Sequence, residues 1–279
     1  AVNDSVALAA VEAQVTPMIG EFEKPIYVTF DESLCAHSRN KISGCSRCLD
    51  VCPAGAITSA GDTVSIDPAI CGGCGFCGAV CPSGATQTVY PPIDALLGSV
   101  DKLVDTYLEA GGETPALLLH DKSFGGQAIE MIARYGRGLP AHVLPLALHD
   151  IGRAGHDLMV GAIALGCNQV FVLANPNKID ETHPVGVQIK LAQELLAGVN
   201  ANEDGRLTLI NESDPDSIAN ILYGTNCASK VKPAPFAPVG TPRGIVRLAM
   251  RGLGTANNTG EDVIALPKGA PYGRVNIDT

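Results

Sequence analysis

Residues 92–226 contain short apolar runs that alternate with longer stretches in which apolar and polar residues recur with a helical period. Short apolar runs are typical of strands buried on both faces, and the longer period is typical of amphipathic helices. The pattern predicts strands at residues 116–119, 142–146, 169–173 and 207–210. It predicts helices near residues 93–109, 126–135, 155–165, 185–196 and 214–222.

Strands that alternate with helices in this way favour an α/β domain built on a small parallel sheet, of the flavodoxin-like or Rossmann-like kind. Such sheets bind ligands at the carboxyl ends of their strands. Four of the six histidines are predicted to lie there, namely His120, His149, His156 and His183. The turn at residues 123–126 would suit an anion. The sequence lacks a nucleotide-binding glycine motif, and we expect this edge to dock a protein rather than a small molecule.

Residues 25–91 follow a different pattern, in which cysteine and glycine recur. The segment CSRCLDVCPAGA at residues 45–56 recurs as CGFCGAVCPSGA at residues 74–85. This part of the chain is therefore a duplication. From Cys71 to Pro82 the second copy has the complete spacing C-x2-C-x2-C-x3-C-P, and in this it resembles the bacterial ferredoxins that carry two [4Fe-4S] clusters.

In that pattern three closely spaced cysteines bind one cluster, and the cysteine before the proline binds the other cluster. The crossed ligation assigns one cluster to Cys71, Cys74, Cys77 and Cys52. It assigns the second cluster to Cys45, Cys48 and Cys81, together with one further ligand.

The further ligand departs from the repeat, because the repeat offset places Ile42 there and a hydrocarbon side chain cannot bind iron. We predict Cys35 instead, followed by an extra loop at residues 36–44. The sequences before Cys35 and Cys71 align, with an aspartate four residues ahead of each cysteine. His37 is the alternative ligand, and a histidine would raise the potential of its cluster.

Zinc and disulfides are the alternative uses of these cysteines. Zinc sites with four cysteines usually combine two separated C-x2-C pairs, whereas triplets followed by a distant C-P favour a cubane cluster. Disulfides suit short exported chains, and this chain has 279 residues and no recognisable export signal at its start. Gly72, Gly73, Gly75 and Gly78 would let the backbone approach the cluster sulfurs and donate hydrogen bonds to them.

The composition favours a globular chain of two compact domains, since 46% of the residues are hydrophobic. The net charge of −10 provides no basic face for nucleic acid or anionic lipid, and it would suit steering toward a basic redox protein. No apolar run is long enough to span a bilayer. We therefore expect a cytoplasmic protein with a redox protein partner and without nucleic acid or a membrane span.

Two family resemblances extend this prediction. Residues 28–39 and 44–53 resemble the large 4Fe-4S binding proteins encoded near formate dehydrogenases in proteobacteria, which implies several cluster domains around an α/β domain that relays electrons. Residues 155–173 are similar, over a short stretch, to small iron-sulfur subunits of methyl-viologen-reducing hydrogenase and heterodisulfide reductase. Those subunits carry further cysteines, whereas here Cys167 and Cys227 remain, so we expect no third cluster. Cys167 is predicted to be a buried thiol.

The chain is predicted to divide into a connecting segment at 1–24, a two-cluster ferredoxin domain at 25–91, the α/β domain at 92–226 and a Pro/Gly-rich segment at 227–279. Residues 6–15 are expected to be a helix that continues from an upstream part, and a short helix is expected near 243–251. Residues 275–278 (VNID) copy residues 64–67 (VSID), which precede Cys71. We therefore expect a longer protein that continues into a further ferredoxin domain.

The predicted fold class is an α+β ferredoxin-like module with two [4Fe-4S] clusters, followed by an α/β domain. The predicted function is electron transfer to or from an oxidoreductase such as formate dehydrogenase, by a carrier rather than a catalyst. One alternative is a redox enzyme subunit whose α/β domain binds a small molecule. Another is a scaffold in which the clusters are structural.

Overall fold

The structure is a computed structural model, and it describes residues 5–18, 20, 23–39, 42–225, 229–257, 259, 264–267 and 270–272. The predictions for Cys227 and for residues 275–278 lie outside these residues. Within the described part of the chain, no helix has the length and apolar character that a bilayer crossing requires.

Residues 25–91, which we call the cysteine module, contain short elements. Helix α1 (Ser5–Val15) precedes the module, as predicted, and its large apolar side chains are exposed. The module then contains β1 (Val28–Phe30), β2 (Ser38–Arg39), β3 (Ile42–Ser43), α2 (Arg47–Asp50), β4 (Ile57–Ala60), β5 (Thr63–Ile66), α3 (Phe76–Val80) and β6 (Thr86–Thr88). Elements this short have little stability of their own and depend on what they enclose.

The module has an internal pseudo-twofold arrangement that follows the duplication. Strand β1 pairs antiparallel with β6, and β5 pairs antiparallel with β4. Strands β1 and β5 lead into Cys35 and Cys71, whereas β4 and β6 follow the two C-P segments. Each pair therefore joins a lead-in strand with a strand that follows a C-P segment. Helices α2 and α3 occupy equivalent positions in the two copies and contact each other. The two copies are therefore intertwined rather than placed side by side.

The extra loop of the first copy is a small hairpin. Strands β2 and β3 pair antiparallel, and the carbonyl oxygen of His37 accepts hydrogen bonds from the N–H groups of Gly44 and Cys45, at 2.7 and 3.2 Å. The hairpin begins just after Cys35 and ends just before Cys45. The insertion therefore closes on itself and leaves these two cysteines near each other.

The second half, which we call the α/β domain, is built as the apolar pattern predicts. Its elements are α4 (Ile93–Glu109), β7 (Ala116–Asp121), α5 (Phe124–Tyr135), β8 (Val143–Leu148), α6 (His156–Ala164), β9 (Gln169–Leu173), α7 (Ile179–Ala197), β10 (Leu207–Ile210) and α8 (Pro215–Gly224). Among the described residues the strands form a four-stranded parallel sheet in the order β10-β9-β7-β8. The predicted α/β class is therefore observed. From β7 the chain adds β8 on one side of the sheet and then β9 and β10 on the other side, so the order in which strands are added changes direction between β7 and β9.

Helices cover both faces of this sheet. Helices α5 and α8 pack on one face, against Leu118 and Phe171. Helices α4, α6 and α7 pack on the other face, together with α9 (Pro242–Ala256) from the C-terminal segment. Every residue of α6 is buried, because α4, α7 and α9 surround it. The domain is thus a three-layer α/β sandwich with an additional helix over α6.

Helix α7 begins earlier than the pattern predicted. It starts at Ile179 rather than at residue 185, so part of the predicted polar loop at residues 175–183 is helical. Pro184 lies inside this helix, in its second turn, where a proline removes one backbone hydrogen bond and disfavours the helix. The polar residues of this first turn and the proline concealed the helical pattern.

Arg206 joins the sheet to the C-terminal segment. It is 2% exposed and donates hydrogen bonds to the carbonyl oxygens of Ala201 and Asn168 and to Ser229. Its Nη2 atom also lies 3.3 Å from a carboxylate oxygen of Glu203. A guanidinium has five donors in a fixed fork, and here several of them are used at once.

We expect Arg206→Lys to lower the free energy of unfolding by about 2–4 kcal/mol, because an ammonium group cannot reach all of these acceptors and leaves them buried and unpaired. Urea unfolding followed by circular dichroism measures the change. Arg134→Lys is the matched control, since Arg134 pairs with Glu130 on the surface and the same substitution there should cost less than about 0.5 kcal/mol. Equal effects at both positions would contradict this role of Arg206.

Candidate metal centre

The structure brings together the four cysteines that the crossed pattern and the predicted extra ligand assign to one cluster. Cys35, Cys45, Cys48 and Cys81 line one cavity, and we call them the first cysteine set. Cys35 is buried and the other three are partly buried. Cys81 comes from the second copy of the repeat, so this set draws on both copies.

The second cysteine set consists of Cys52, Cys71, Cys74 and Cys77. Burial is the main cause that raises the pKa of Cys74 and of Cys77. Negative charge at Asp150, Cys52 and Cys71 also acts on Cys74, and negative charge at Cys74 and Cys71 acts on Cys77, so these thiols lie near one another. Cys52 comes from the first copy of the repeat. Each set therefore takes one cysteine from the other copy, which is the exchange that the sequence predicts.

Burial and mutual repulsion raise the pKa of thiols in both sets. Burial raises the pKa of Cys48 to about 11, and negative charge at the other three members of the first set acts in the same direction. Burial raises the pKa of Cys77 to about 12, with contributions from its own set and, more weakly, from Cys48. The influence of Cys48 on Cys77 shows that the two sets are adjacent. Four thiolates so close together are unfavourable unless positive charge lies among them.

The pKa of Cys81 shifts in the opposite direction. Burial raises its pKa, but hydrogen bonds from Thr86 and Ser83 outweigh this effect, and the pKa is lowered overall. The Ser83 hydroxyl lies 3.6 Å from the sulfur. The Thr86 hydroxyl donates its one hydrogen to the carbonyl oxygen of Cys77, at 2.9 Å, so the backbone N–H of Thr86 is the donor that remains for Cys81. The thiolate form of Cys81 is therefore favoured by its own loop, a feature that the cysteine spacing did not indicate.

Hydrogen bonds before Cys35 and Cys71 are equivalent in the two copies. The side chain of Asp31 accepts from the N–H of Ser33 at 2.9 Å, and that of Asp67 accepts from the N–H of Ala69 at 2.8 Å. The N–H of Asp31 donates to the carbonyl of residue 85, and the N–H of Asp67 donates to that of residue 56, which is the same position in the repeat. This correspondence supports the alignment of Cys35 with Cys71.

His37, the alternative ligand that the sequence places on a loop, is buried at 7% exposure. Its Nδ1 atom lies 2.7 Å from the carbonyl oxygen of Cys45, and its Nε2 atom lies 2.7 Å from the hydroxyl of Ser59. Because a carbonyl oxygen only accepts, Nδ1 donates to Cys45. Both ring nitrogens are thus used in hydrogen bonds that tie the hairpin to the rest of the module.

The glycines of the second copy have different surroundings. Gly73 and Gly75 have φ values of +76° and +92°, which favour glycine, and a Cβ at Gly73 would lie 2.5 Å from the ring of Tyr27. At Gly72 a Cβ would meet no described atom within 4 Å. Gly73 and Gly75 are therefore required by protein contacts, and the predicted approach to cluster sulfurs stays a prediction.

The turn Ile151–Arg153 from the α/β domain packs on the loop that carries Cys74. A Cβ at Gly152 would lie 2.5 Å from the carbonyl oxygen of Cys74 and 3.0 Å from the ring of Phe76. Phe76 is 1% exposed and belongs to the same apolar core as Ile151 and Ala154. The carboxyl end of β8, an expected ligand-binding edge, therefore contacts the cysteine module.

The four histidines of that edge do not converge on one point. His149 stacks on Tyr27, with ring centroids 5.0 Å apart, and lies 3.2 Å from the carbonyl oxygen of Gly72, so it belongs to the contact with the cysteine module. His156 is buried and contacts Gln188 and Tyr272. His120 bonds to the backbone of Asp121, and His183 is exposed.

The turn at residues 123–126 already holds a carboxylate. Asp121 Oδ1 accepts hydrogen bonds from the N–H groups of Phe124 and Gly125, at 2.6 and 3.0 Å, and from the hydroxyl of Ser123 at 3.1 Å. The positive end of helix α5 is therefore neutralised by the protein itself. The anion site that the sequence indicated here is taken by Asp121.

The donor set fits iron-sulfur clusters. The nine cysteines within the described residues are free of disulfides, and Cys167 is fully buried away from both sets, as predicted. In the same part of the chain, three or more Cys, His, Asp or Glu side chains do not converge as closely as a single ion requires. A [4Fe-4S] cluster has four separate iron corners, so its thiolates stand further apart than those around one ion.

Residues 41–85 match the family model of the 4Fe-4S dicluster domain. No curated protein and no solved structure matches the chain. The match includes seven of the predicted ligands and begins after Cys35. The chain therefore contains an iron-sulfur domain of the ferredoxin type.

We expect Gly152→Ala to loosen the contact between the α/β domain and the cysteine module, because the new methyl group would overlap the carbonyl oxygen of Cys74. The thermal midpoint should fall by about 4 °C or more, and iron should be lost faster to a chelator. Gly98→Ala in helix α4 is the control, since a Cβ there meets no described atom within 4 Å. Identical behaviour of the two variants would contradict the proposed contact.

Proposed function

We propose that this chain is an electron-transfer protein that binds two [4Fe-4S] clusters in residues 25–91, one on each cysteine set. The observation that carries the proposal is the exchange of one cysteine between the two copies of the repeat. The thiols of each set do not converge as closely as a single metal ion requires, within the described residues, and the four separate corners of a cluster suit this wider spacing. The match to the 4Fe-4S dicluster domain supports the same conclusion.

When bound, each cluster would accept and release one electron without breaking a covalent bond. The cysteine residues hold the two sets next to each other, as the effect of Cys48 on Cys77 indicates. Cys35 and Cys77 are buried, and the other six cysteines are partly buried. The protein therefore provides two adjacent redox positions within one small module.

We propose a redox protein as the partner. The net charge of −10 would steer a basic partner toward the chain, and such steering weakens as salt rises. The resemblance to 4Fe-4S proteins encoded near formate dehydrogenases supports an oxidoreductase of that kind.

The order of the strands, with β8 and β7 followed by β9 and β10, supports a flavodoxin-like α/β domain.

The ligand assignment predicts how two neighbouring substitutions differ. Cys35→Ala should lower the iron content of the anaerobically purified protein from about eight to about four per chain, because one cluster loses a corner. His37→Ala should keep about eight irons and lower stability by about 1–3 kcal/mol, through the loss of two buried hydrogen bonds. Cys167→Ala is the control and should keep about eight irons. Loss of iron in His37→Ala, with Cys35→Ala unaffected, would reverse the assignment.

A redox role predicts reversible change in the visible spectrum. Addition of a low-potential reductant should bleach the charge-transfer absorption, reoxidation should restore it, and the reduced protein should show the EPR signals of two interacting clusters. Apoprotein refolded without iron is the control. A protein that contains about eight irons but takes up no electrons would indicate a structural role for the clusters.

A further inference from the structure

A buried arginine from the α/β domain lies against the second cysteine set. Arg153 ends the turn that packs on the module, and it is 3% exposed. A Cβ at Gly75 would lie 2.5 Å from Cδ of Arg153 and 3.4 Å from its Cα. The arginine therefore packs over the backbone between Cys74 and Cys77, and Gly75 leaves the room for it.

The guanidinium is short of protein partners. Within the described part of the chain, its buried Nε and Nη2 atoms make no hydrogen bond, and the buried Oδ1 atom of Asp157 also lacks one. A buried charge is normally paired because its removal from water is costly. Asp157 is one negative charge beside this arginine, and a negatively charged group held by the thiols of the second set would be another.

The electrostatics agree with this geometry. Burial lowers the pKa of Arg153, while negative charge at Asp157 and at Cys77 acts in the opposite direction. A guanidinium remains protonated in proteins at neutral pH. Arg153 thus places a permanent positive charge, poorly screened by water, beside the second set.

The first cysteine set has cations of a different kind. Arg47 lines its cavity but is only partly buried, and its Nη2 atom lies 3.4 Å from the carbonyl oxygen of Ala270. Arg243 is exposed and donates to the carbonyl oxygen of Pro82 at 2.8 Å. Water screens both of these charges, whereas Arg153 is buried, so a cation acts more strongly on the second set than on the first. Asp157 and Asp150 are the carboxylates that act near the second set and oppose part of this effect.

We propose that Arg153 raises the reduction potential of the cluster held by the second cysteine set, so that a transferred electron rests on that cluster. The inference rests on the proposed function. A one-electron donor of low potential supplies the electron, no covalent bond forms or breaks, and the cluster with its thiolates gains one unit of negative charge. Arg153 stabilises this added charge in a region of low dielectric, whereas the first set lacks such a neighbour among the described residues.

The test is an EPR-monitored redox titration of the intact holoprotein and its variants. Arg153→Gln and Arg153→Met remove the charge, and the methionine also fills the space with an apolar side chain, which buried sites tolerate well. In both variants the equilibrium distribution of the electron between the two clusters should change by about tenfold or more in favour of the first set. For a one-electron couple this corresponds to a change of ~59 mV in the difference between the two reduction potentials. Arg153→Lys keeps a positive charge and should retain most of the wild-type difference between the two reduction potentials.

Arg134→Gln controls for net charge, because it removes one positive charge from the surface. One of the two potentials should fall in Arg153→Gln and Arg153→Met, and both should stay nearly unchanged in Arg134→Gln. Equal shifts of both potentials, or no shift in an Arg153 variant that retains its iron, would overturn the inference. Iron and sulfide analysis separates this failure from that of the proposed function, which would appear as a wild-type protein without clusters.

Discussion

The constraint on which the cysteine module depends is the crowding of eight thiols, two of them buried and six partly buried. Burial raises the pKa of Cys48, Cys74 and Cys77, and the thiols of each set act on one another in the same direction. The buried hydrophobic core of the module is small and itself includes two of the cysteines, Cys35 and Cys77. A module of short strands and single-turn helices therefore lacks an apolar interior that could offset this repulsion. Positively charged metal among the sulfurs is the group that would stabilise both the charge and the fold.

The α/β domain supplies the remaining support. The side chain of Phe76 extends from the module into the large core, where it packs with Ile151 and Ala154. Gly152 allows the backbone of the domain to approach Cys74 closely. His149 adds a stacked ring and a hydrogen bond at the same contact. The second cysteine set is thus held by the domain as well as by its own loop. The first set depends instead on the hairpin after Cys35 and on the hydrogen bonds of His37.

Local pattern sufficed for most of the elements. The four strands and the helices of the α/β domain were predictable because each buries an apolar face of recognisable period, and the cysteine repeat was visible as text. The start of α7 was missed because Pro184 and a polar first turn obscure the period there. The burial of His37, and the roles of Arg153 and Gly75, were not predictable. The burial of His37 depends on the fold of the module itself, where its ring meets Cys45 and Ser59. Arg153 and Gly75 are far apart in the chain and meet only when the module packs on the α/β domain.

The carboxyl edge of a parallel sheet is where such domains bind ligands, because strand ends and helix starts bring polar groups and unpaired backbone together there. In this chain the part of the edge after β8 contacts the cysteine module, and the start of α5 is occupied by Asp121. The groups that this edge presents are a backbone turn, a histidine ring and a buried guanidinium. Such groups can bind and polarise a charged partner. Here they contact the loop that carries Cys74. The edge therefore keeps its usual chemical role, with the metal-binding loop of the same chain in the place of a diffusible ligand.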